Sequence, residues 1–254
     1  MRIFALSDIH ADYDANARWL ANLSSADYRN DVLILAGDVT DNASLLEWCL
    51  TTLAKCFQQV LFVPGNHELW VTRDRRPMTS LQKFDEVVAI AARSGVSMRP
   101  FRARGIAIVP LLAWYDYSFG QPTEELKSIW MDFRTCRWPP GFDEPMISAH
   151  FAALNEDWCA AGANEEVITF SHFLPRIDLM PRLIPREYRA LYPILGTSKL
   201  ERQLRRLNST THIFGHSHIN RQVQIDGVSY VNNAFGYPHE SRIAAKRLVC
   251  VRER

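Results

Sequence analysis

Five times along this chain a short apolar run stops directly at a side chain able to bind a metal ion. Ile3-Phe4-Ala5-Leu6 ends in Ser7-Asp8-Ile9-His10, and Val32-Leu33-Ile34-Leu35-Ala36 ends in Gly37-Asp38. Val60-Leu61-Phe62-Val63 leads into Pro64-Gly65-Asn66-His67-Glu68, and Val167-Ile168-Thr169-Phe170 into Ser171-His172. Thr211-His212-Ile213-Phe214 leads into Gly215-His216-Ser217-His218. Continuous apolar runs of this length read as strands covered on both faces, the habit of a largely parallel sheet. In open α/β sheets sites form where strands end, so these loops are placed to meet in one crevice although they span most of the sequence.

Helical signals separate the runs. Asp12 and Asp14 stand ahead of Ala17, Leu20 and Leu23, and Ser44 with Glu47 has capping-box spacing before Leu46, Cys49, Leu50, Leu53 and Phe57. Ser80 to Arg93 reads as a helix with Leu81, Phe84, Val87, Val88 and Ala91 inward. The order is β-α-β-α-β, that of an α/β protein. Ile106 to Leu112 resumes the sheet, and Asp143 with Pro145 opens a helix expected to run past Leu154 and Trp158 to Gly162. Ser198 and Glu201 repeat the capping-box spacing. Asp226-Gly227 signals a hairpin joining Val223–Ile225 to Val228–Val231, and Arg247 to Val251 reads as a closing strand. The stretch 114–145 differs, with Trp114, Tyr115, Tyr117, Phe119, Trp130, Phe133 and Trp138. It reads as a long irregular insertion, either a lid or substrate wall or a satellite cluster over one sheet edge.

At 254 residues, 47% apolar and 22% charged, the chain suits a globular enzyme, and with no linker to divide it residues 1–254 are read as one domain. A net charge of +1 argues against a broad nucleic-acid-binding face. No apolar run reaches the length of a membrane span, and no basic leader precedes the first strand. The cysteines Cys49, Cys56, Cys136, Cys159 and Cys250 form no C-x-x-C pair and read as reduced thiols of a cytoplasmic protein.

The chemistry sits in the strand-end loops. They hold five of the eight histidines, while His150, His212 and His239 read as ordinary polar residues. Asp8/His10 and His216/His218 are i,i+2 pairs whose members point to one side of an extended backbone. Crowding so many carboxylates and imidazoles calls for a cation, and the all-N/O donor set without thiolate suits Mn, Fe, Zn or Co.

Asp8-Ile9-His10, Gly37-Asp38-Val39-Thr40-Asp41, Gly65-Asn66-His67-Glu68, His172 and Gly215-His216-Ser217-His218 resemble, in order and context, the signature blocks of the calcineurin-like metallophosphoesterases. The blocks reach from residue 8 to 218, nearly the whole chain. The resemblance implies a four-layer α-β-β-α sandwich of two mixed β-sheets flanked by helices. It implies one metal ion held by Asp8, His10, Asp38 and His218, with Asp38 bridging to a second held by Asn66, His172 and His216. His67 matches the family's non-ligating catalytic histidine, and Asp41 the acid that orients it.

The implied activity is hydrolysis of a small phosphomonoester or phosphodiester, a nucleotide or cyclic nucleotide included, by a hydroxide that bridges the two metals. A nuclease of the same fold and a non-catalytic protein-binding scaffold are the alternatives. In the related protein phosphatases the second block continues with an arginine that grips phosphate, whereas Asn42 stands here. Arg176, just after His172, is the replacement that sequence offers. Trp114, with Trp70, Tyr115 and Phe173, is a candidate for stacking on a base.

Overall fold

The computed structural model describes residues 1–74, 76–158 and 165–254. Strand β1 (Arg2–Leu6) is followed by α1 (Asp14–Ala21), β2 (Val32–Ala36), α2 (Ala43–Cys56), β3 (Gln59–Val63) and α3 (Ser80–Arg93). Next come β4 (Phe101–Ala103), β5 (Ile106–Pro110), α4 (Glu124–Ile129), α5 (Asp132–Thr135) and α6 (Glu144–Leu154). The chain closes with β6 (Glu166–Phe170), α7 (Ser198–Arg206), β7 (Thr211–Phe214), β8 (Arg221–Ile225), β9 (Val228–Asn232) and β10 (Val249–Glu253).

The strands form two sheets, ordered β10-β1-β2-β3 and β4-β5-β6-β7-β9-β8. The central pairings are parallel, and antiparallel β10, β4 and β8 at the edges make both sheets mixed. This is the four-layer sandwich, two sheets face to face with helices outside. One apolar core joins the layers, running from Ile3, Leu35 and Phe62 to Ile108, Phe170 and Ile213. All five residues of β2 are wholly buried, which is why the run carries no polar alternation. Because β1, β2, β3, β6 and β7 run in parallel within their sheets, their carboxyl ends collect along one edge of the sandwich.

Two helix starts differ from expectation, α2 by two residues and α7 by one. Helix α2 is capped by Asn42, whose Oδ1 accepts from Leu45 N at 3.0 Å, and α7 by Thr197, not by Ser44 and Ser198. In both cases a residue slightly further upstream is itself a good cap and takes the position. The reciprocal capping box belongs to α3: Thr79 Oγ1 accepts from Gln82 N at 3.2 Å and Gln82 Oε1 from Thr79 N at 2.8 Å. Helix α6 ends at Leu154, short of the expected extension. Cys159 and the stretch onward to Gly162 lie outside the described residues. Cys49, Cys56 and Cys136 are buried free thiols and Cys250 an exposed one. Among the described residues no helix is long and apolar enough to cross a membrane.

The aromatic stretch is not irregular throughout, since it contains α4 and α5. Trp114 and Tyr115 are buried, and Trp114 packs with Tyr115, Trp138 and Phe173 at ring distances of 4.8–5.4 Å. Asp116 fastens the stretch to α7 by accepting from Thr197 Oγ1 at 2.8 Å and from Lys199 Nζ.

Candidate metal centre

The loops after β1, β2 and β3 bring Asp8, His10, Asp38, Asn66 and His67 to the same edge of the sandwich as His172 after β6 and His216 and His218 after β7. Close approach of backbone to side chain makes this possible. At Gly65 a Cβ would lie 2.1 Å from Asp38 Oδ1, and at Gly37 (φ +84°) 2.5 Å from His172 Nδ1. Only glycine fits at either position.

Asp8, His10, Asp38, His216 and His218 all adopt left-handed backbone, with φ between 44° and 65°. They are five of the nine described non-glycine residues that do so, which concentrates strain of about 1–3 kcal/mol per residue at this one place. The i,i+2 pairs therefore do not converge through extended backbone as expected. Each member turns its own residue instead, and the side chains meet inside the loop.

The donor atoms meet closely. His10 Nε2 is 3.0 Å from His218 Nε2, which is 3.3 Å from Asp8 Oδ1. His172 Nε2 is 3.1 Å from both His216 Nδ1 and Asn66 Oδ1, and 3.4 Å from Asp38 Oδ2. Bonds of about 2.1 Å in a tetrahedral shell place ligand atoms roughly 3.4 Å apart, so both groups are spaced for a transition-metal ion. A third grouping of His10, Asp38 and His67 meets the same spacing more loosely, with His67 Nε2 at 3.8 Å from Asp38 Oδ2.

The outward-facing atoms of these side chains are tied down. His172 Nδ1 lies 2.8 Å from Ala36 O, His216 Nε2 3.1 Å from Ile194 O, and His218 Nδ1 2.6 Å from Glu240 Oε2. Each partner only accepts, so that ring nitrogen carries the proton and the other faces the cluster. Asn66 Nδ2 donates to Asp132 Oδ1 at 2.9 Å, which turns its carbonyl oxygen toward His172. Trp70 Nε1 and Trp130 Nε1 donate to the same carboxylate, both at 2.7 Å. Buried Glu68 accepts four backbone N–H bonds, from Asp38, Val39, Thr40 and Gly65 at 2.6–3.1 Å, and so locks the β2 loop to the β3 loop.

Charge follows from this crowding. Burial works against the ionised forms of Asp8 and Asp38, but His218 and His172 respectively outweigh it and both carboxyls stay below their usual range. Burial likewise opposes protonation of His172 and His218, yet Asp38 raises the first to about 9 and Asp8 with Glu240 raises the second to about 10. Burial and neighbouring imidazoles bring His10 and His216 down to about 3. Burial and the Asp38 charge push Glu68 up to about 7. A bound cation takes over the role of the two imidazolium protons, since ligation needs neutral rings.

His67 stands at the rim. Its ring stacks on Trp70 at 3.8 Å, its backbone N–H donates to Asp38 Oδ1 at 3.0 Å, and its side chain is 15% exposed. It lines a cavity of about 370 Å³ with His10, Asp12, Tyr13, Asp41, Trp70, Arg73 and Tyr237. Asp41 shares that cavity but pairs with Arg73 Nη1 at 2.9 Å. The His67 ring also meets that of His10 edge-on, with centroids 4.7 Å apart.

Two expected substrate residues lie elsewhere. The Arg176 guanidinium is spent on Asp178, Glu201 and Asp226 at 2.9–3.2 Å, and Trp114 has no exposed surface on which a base could stack. Sequence reasoning missed Asp132, Glu240, Tyr237 and Arg73. Only Asp132 gave a signal, a lone acid between Trp130 and Phe133 in an apolar stretch.

The model of the calcineurin-like phosphoesterase family matches residues 1–220. The chain is 31% identical over 263 residues to the acyl-carrier-protein phosphodiesterase PptH of Mycobacterium tuberculosis, covering 94% of this chain and 79% of that protein. The crystal structure of the phosphopantetheinyl hydrolase PptH from the same organism superposes with a TM-score of 0.82 at 26% identity, covering 98% of this chain and 95% of the other.

Proposed function

The chain belongs to the calcineurin-like phosphoesterases, metal-dependent hydrolases of phosphoester bonds, and from that premise we propose that it is a two-metal phosphodiesterase releasing phosphopantetheine from a carrier protein. The observation that carries the substrate is the similarity, along nearly all of both chains, to a phosphopantetheinyl hydrolase. In this reading residues 1–254 form one catalytic domain acting in the cytoplasm, with 114–145 as an embedded support.

Asp8, His10, Asp38 and His218 would hold one ion, and Asp38, Asn66, His172 and His216 a second, with Mn, Fe or Zn suited to the donors. Bound there, the ions supply Lewis acidity to the phosphoryl oxygens and an activated water for in-line attack. The protein supplies the rest. Glu68 keeps the two ligand loops at fixed separation, and Asp132 keeps the Asn66 oxygen inward. His67, held flat against Trp70, delivers a proton to the leaving oxygen, which is a poor leaving group without it.

Incubation of the metal-loaded enzyme with a phosphopantetheinylated carrier protein, followed by intact-protein mass spectrometry, tests this. The carrier should lose the whole phosphopantetheinyl mass. Hydrolysis of bis-p-nitrophenyl phosphate with the carrier left intact under every metal would reject the substrate and leave the phosphoesterase chemistry standing. His67→Ala should retain metal and lose turnover on the carrier far more than on the nitrophenyl ester.

A further inference from the structure

We propose that Arg73 is the residue of this active site that grips the substrate phosphoryl group. The inference rests on the phosphoesterase reading of the centre and names a binding residue within it.

The cavity beside His67 has a charge problem. Its wall carries the carboxylates of Asp12 and Asp41, so an anionic substrate approaching His67 and His10 meets two negative charges. Among the described residues Arg73 is the cation on that wall. Its Nη1 donates to Asp12 Oδ1 at 3.1 Å and to Asp41 Oδ1 at 2.9 Å, so one nitrogen serves both carboxylates. Among the described residues Nε and Nη2 have no partner, and the side chain is 63% exposed. The two carboxylates hold the guanidinium in place while its other donors remain available, a fork suited to two phosphoryl oxygens.

The segment is anchored for this task. Val71 N donates to Thr135 O at 3.0 Å on one side of Arg73. On the other, Asp74 Oδ1 accepts at 2.7 Å from Lys83 Nζ, a fully buried ammonium on α3. Asp12 is fixed in turn by Thr40 Oγ1 at 3.0 Å. Neither rival can serve: Asn42 caps α2, and Arg176 is held by three carboxylates. Arg73 touches substrate in this role.

The test uses the metal-loaded protein with inorganic phosphate as probe, measured by titration calorimetry, beside KM and kcat on bis-p-nitrophenyl phosphate. Arg73→Ala should weaken phosphate binding and raise KM on the order of 10–100-fold, the worth of charged hydrogen bonds, while metal content stays unchanged. Arg73→Lys should recover part of the loss, because an ammonium cannot bind bidentately. Unchanged phosphate affinity in Arg73→Ala overturns the proposal. So does affinity fully restored by adding Asp12→Asn and Asp41→Asn, since Arg73 would then only mask those carboxylates. Metal loss in Arg73→Ala also overturns it, by assigning the residue to the ligand scaffold. Phosphate carries no pantetheine, so an Arg73-dependent affinity alongside an intact carrier protein would reject the substrate alone.

Discussion

Replacing Asp132 with asparagine should loosen metal binding at the His172/His216 group while the chain stays folded. Three donors converge on this buried carboxylate: Asn66 Nδ2 and Trp70 Nε1 on Oδ1, and Trp130 Nε1 on Oδ2. An asparagine can serve the first two with its oxygen, but its amide then faces the Trp130 N–H, donor against donor. One unsatisfied buried donor costs about 1–3 kcal/mol, within the stability of a typical domain. The two retained bonds change from charged to neutral acceptors and lose roughly half their strength. The Asn66 carbonyl is then held less firmly, and losing such an orienting partner typically lowers metal affinity by about 10–100-fold. The lower end is expected here, because two of the three contacts survive. Metal retained during dialysis against graded chelator gives the affinity, and urea unfolding gives the stability. A double-mutant cycle with Asn66→Ala identifies the route: in that background Asp132→Asn should add nothing to the loss of affinity. Additive losses, or an unchanged affinity in the single variant, would refute the claim that Asp132 acts through Asn66.

Other expectations follow from individual contacts. Gly65→Ala should abolish metal retention, since its Cβ would lie 2.1 Å from Asp38 Oδ1; wild-type metal content in that variant would contradict the close approach. Glu240→Ala should lower metal affinity or activity by about 10–100-fold, because His218 Nδ1 loses its partner at 2.6 Å; an unchanged chelator profile would count against this. Asp116 is half-buried, but its bonds from Lys199, Ser118 and Thr197 outweigh that effect and hold its pKa below the usual range. A depressed carboxyl contributes stability above its unfolded pKa of about 3.9 and loses it as pH falls through the folded value. Asp116→Asn should therefore cost about 1–3 kcal/mol at pH 7, and the gap to wild type should close below about pH 4 in urea unfolding. A gap that does not change with pH would exclude the charge as its source.

What was legible in the sequence was legible for local reasons. A doubly covered strand such as β2 has no polar residue to confuse its reading, and the change to Gly37-Asp38 marks its end at the crevice. Helix α3 was read to the residue from its apolar spacing, although Val88 is exposed and Ile90 is buried instead. The donor residues were visible because each sits directly after such a strand. Contacts set by tertiary folding were not visible. Asp132 reaches Asn66 across 66 residues and Glu240 reaches His218 across 22, with no spacing rule linking either pair. Arg176 looked apt because it follows His172 closely, but three carboxylates from separate parts of the chain claim it. Arg73, in an unremarked polar turn, occupies the cavity instead. The left-handed backbone at five donor residues was equally hidden, since aspartate and histidine tolerate that conformation without requiring it.

A two-metal centre is defined by the number of ions that the converged side chains bind. Protein stripped with chelator, titrated with Mn and freed of excess metal should retain two ions per chain by elemental analysis. Saturation at one ion per chain, or at none, would contradict it.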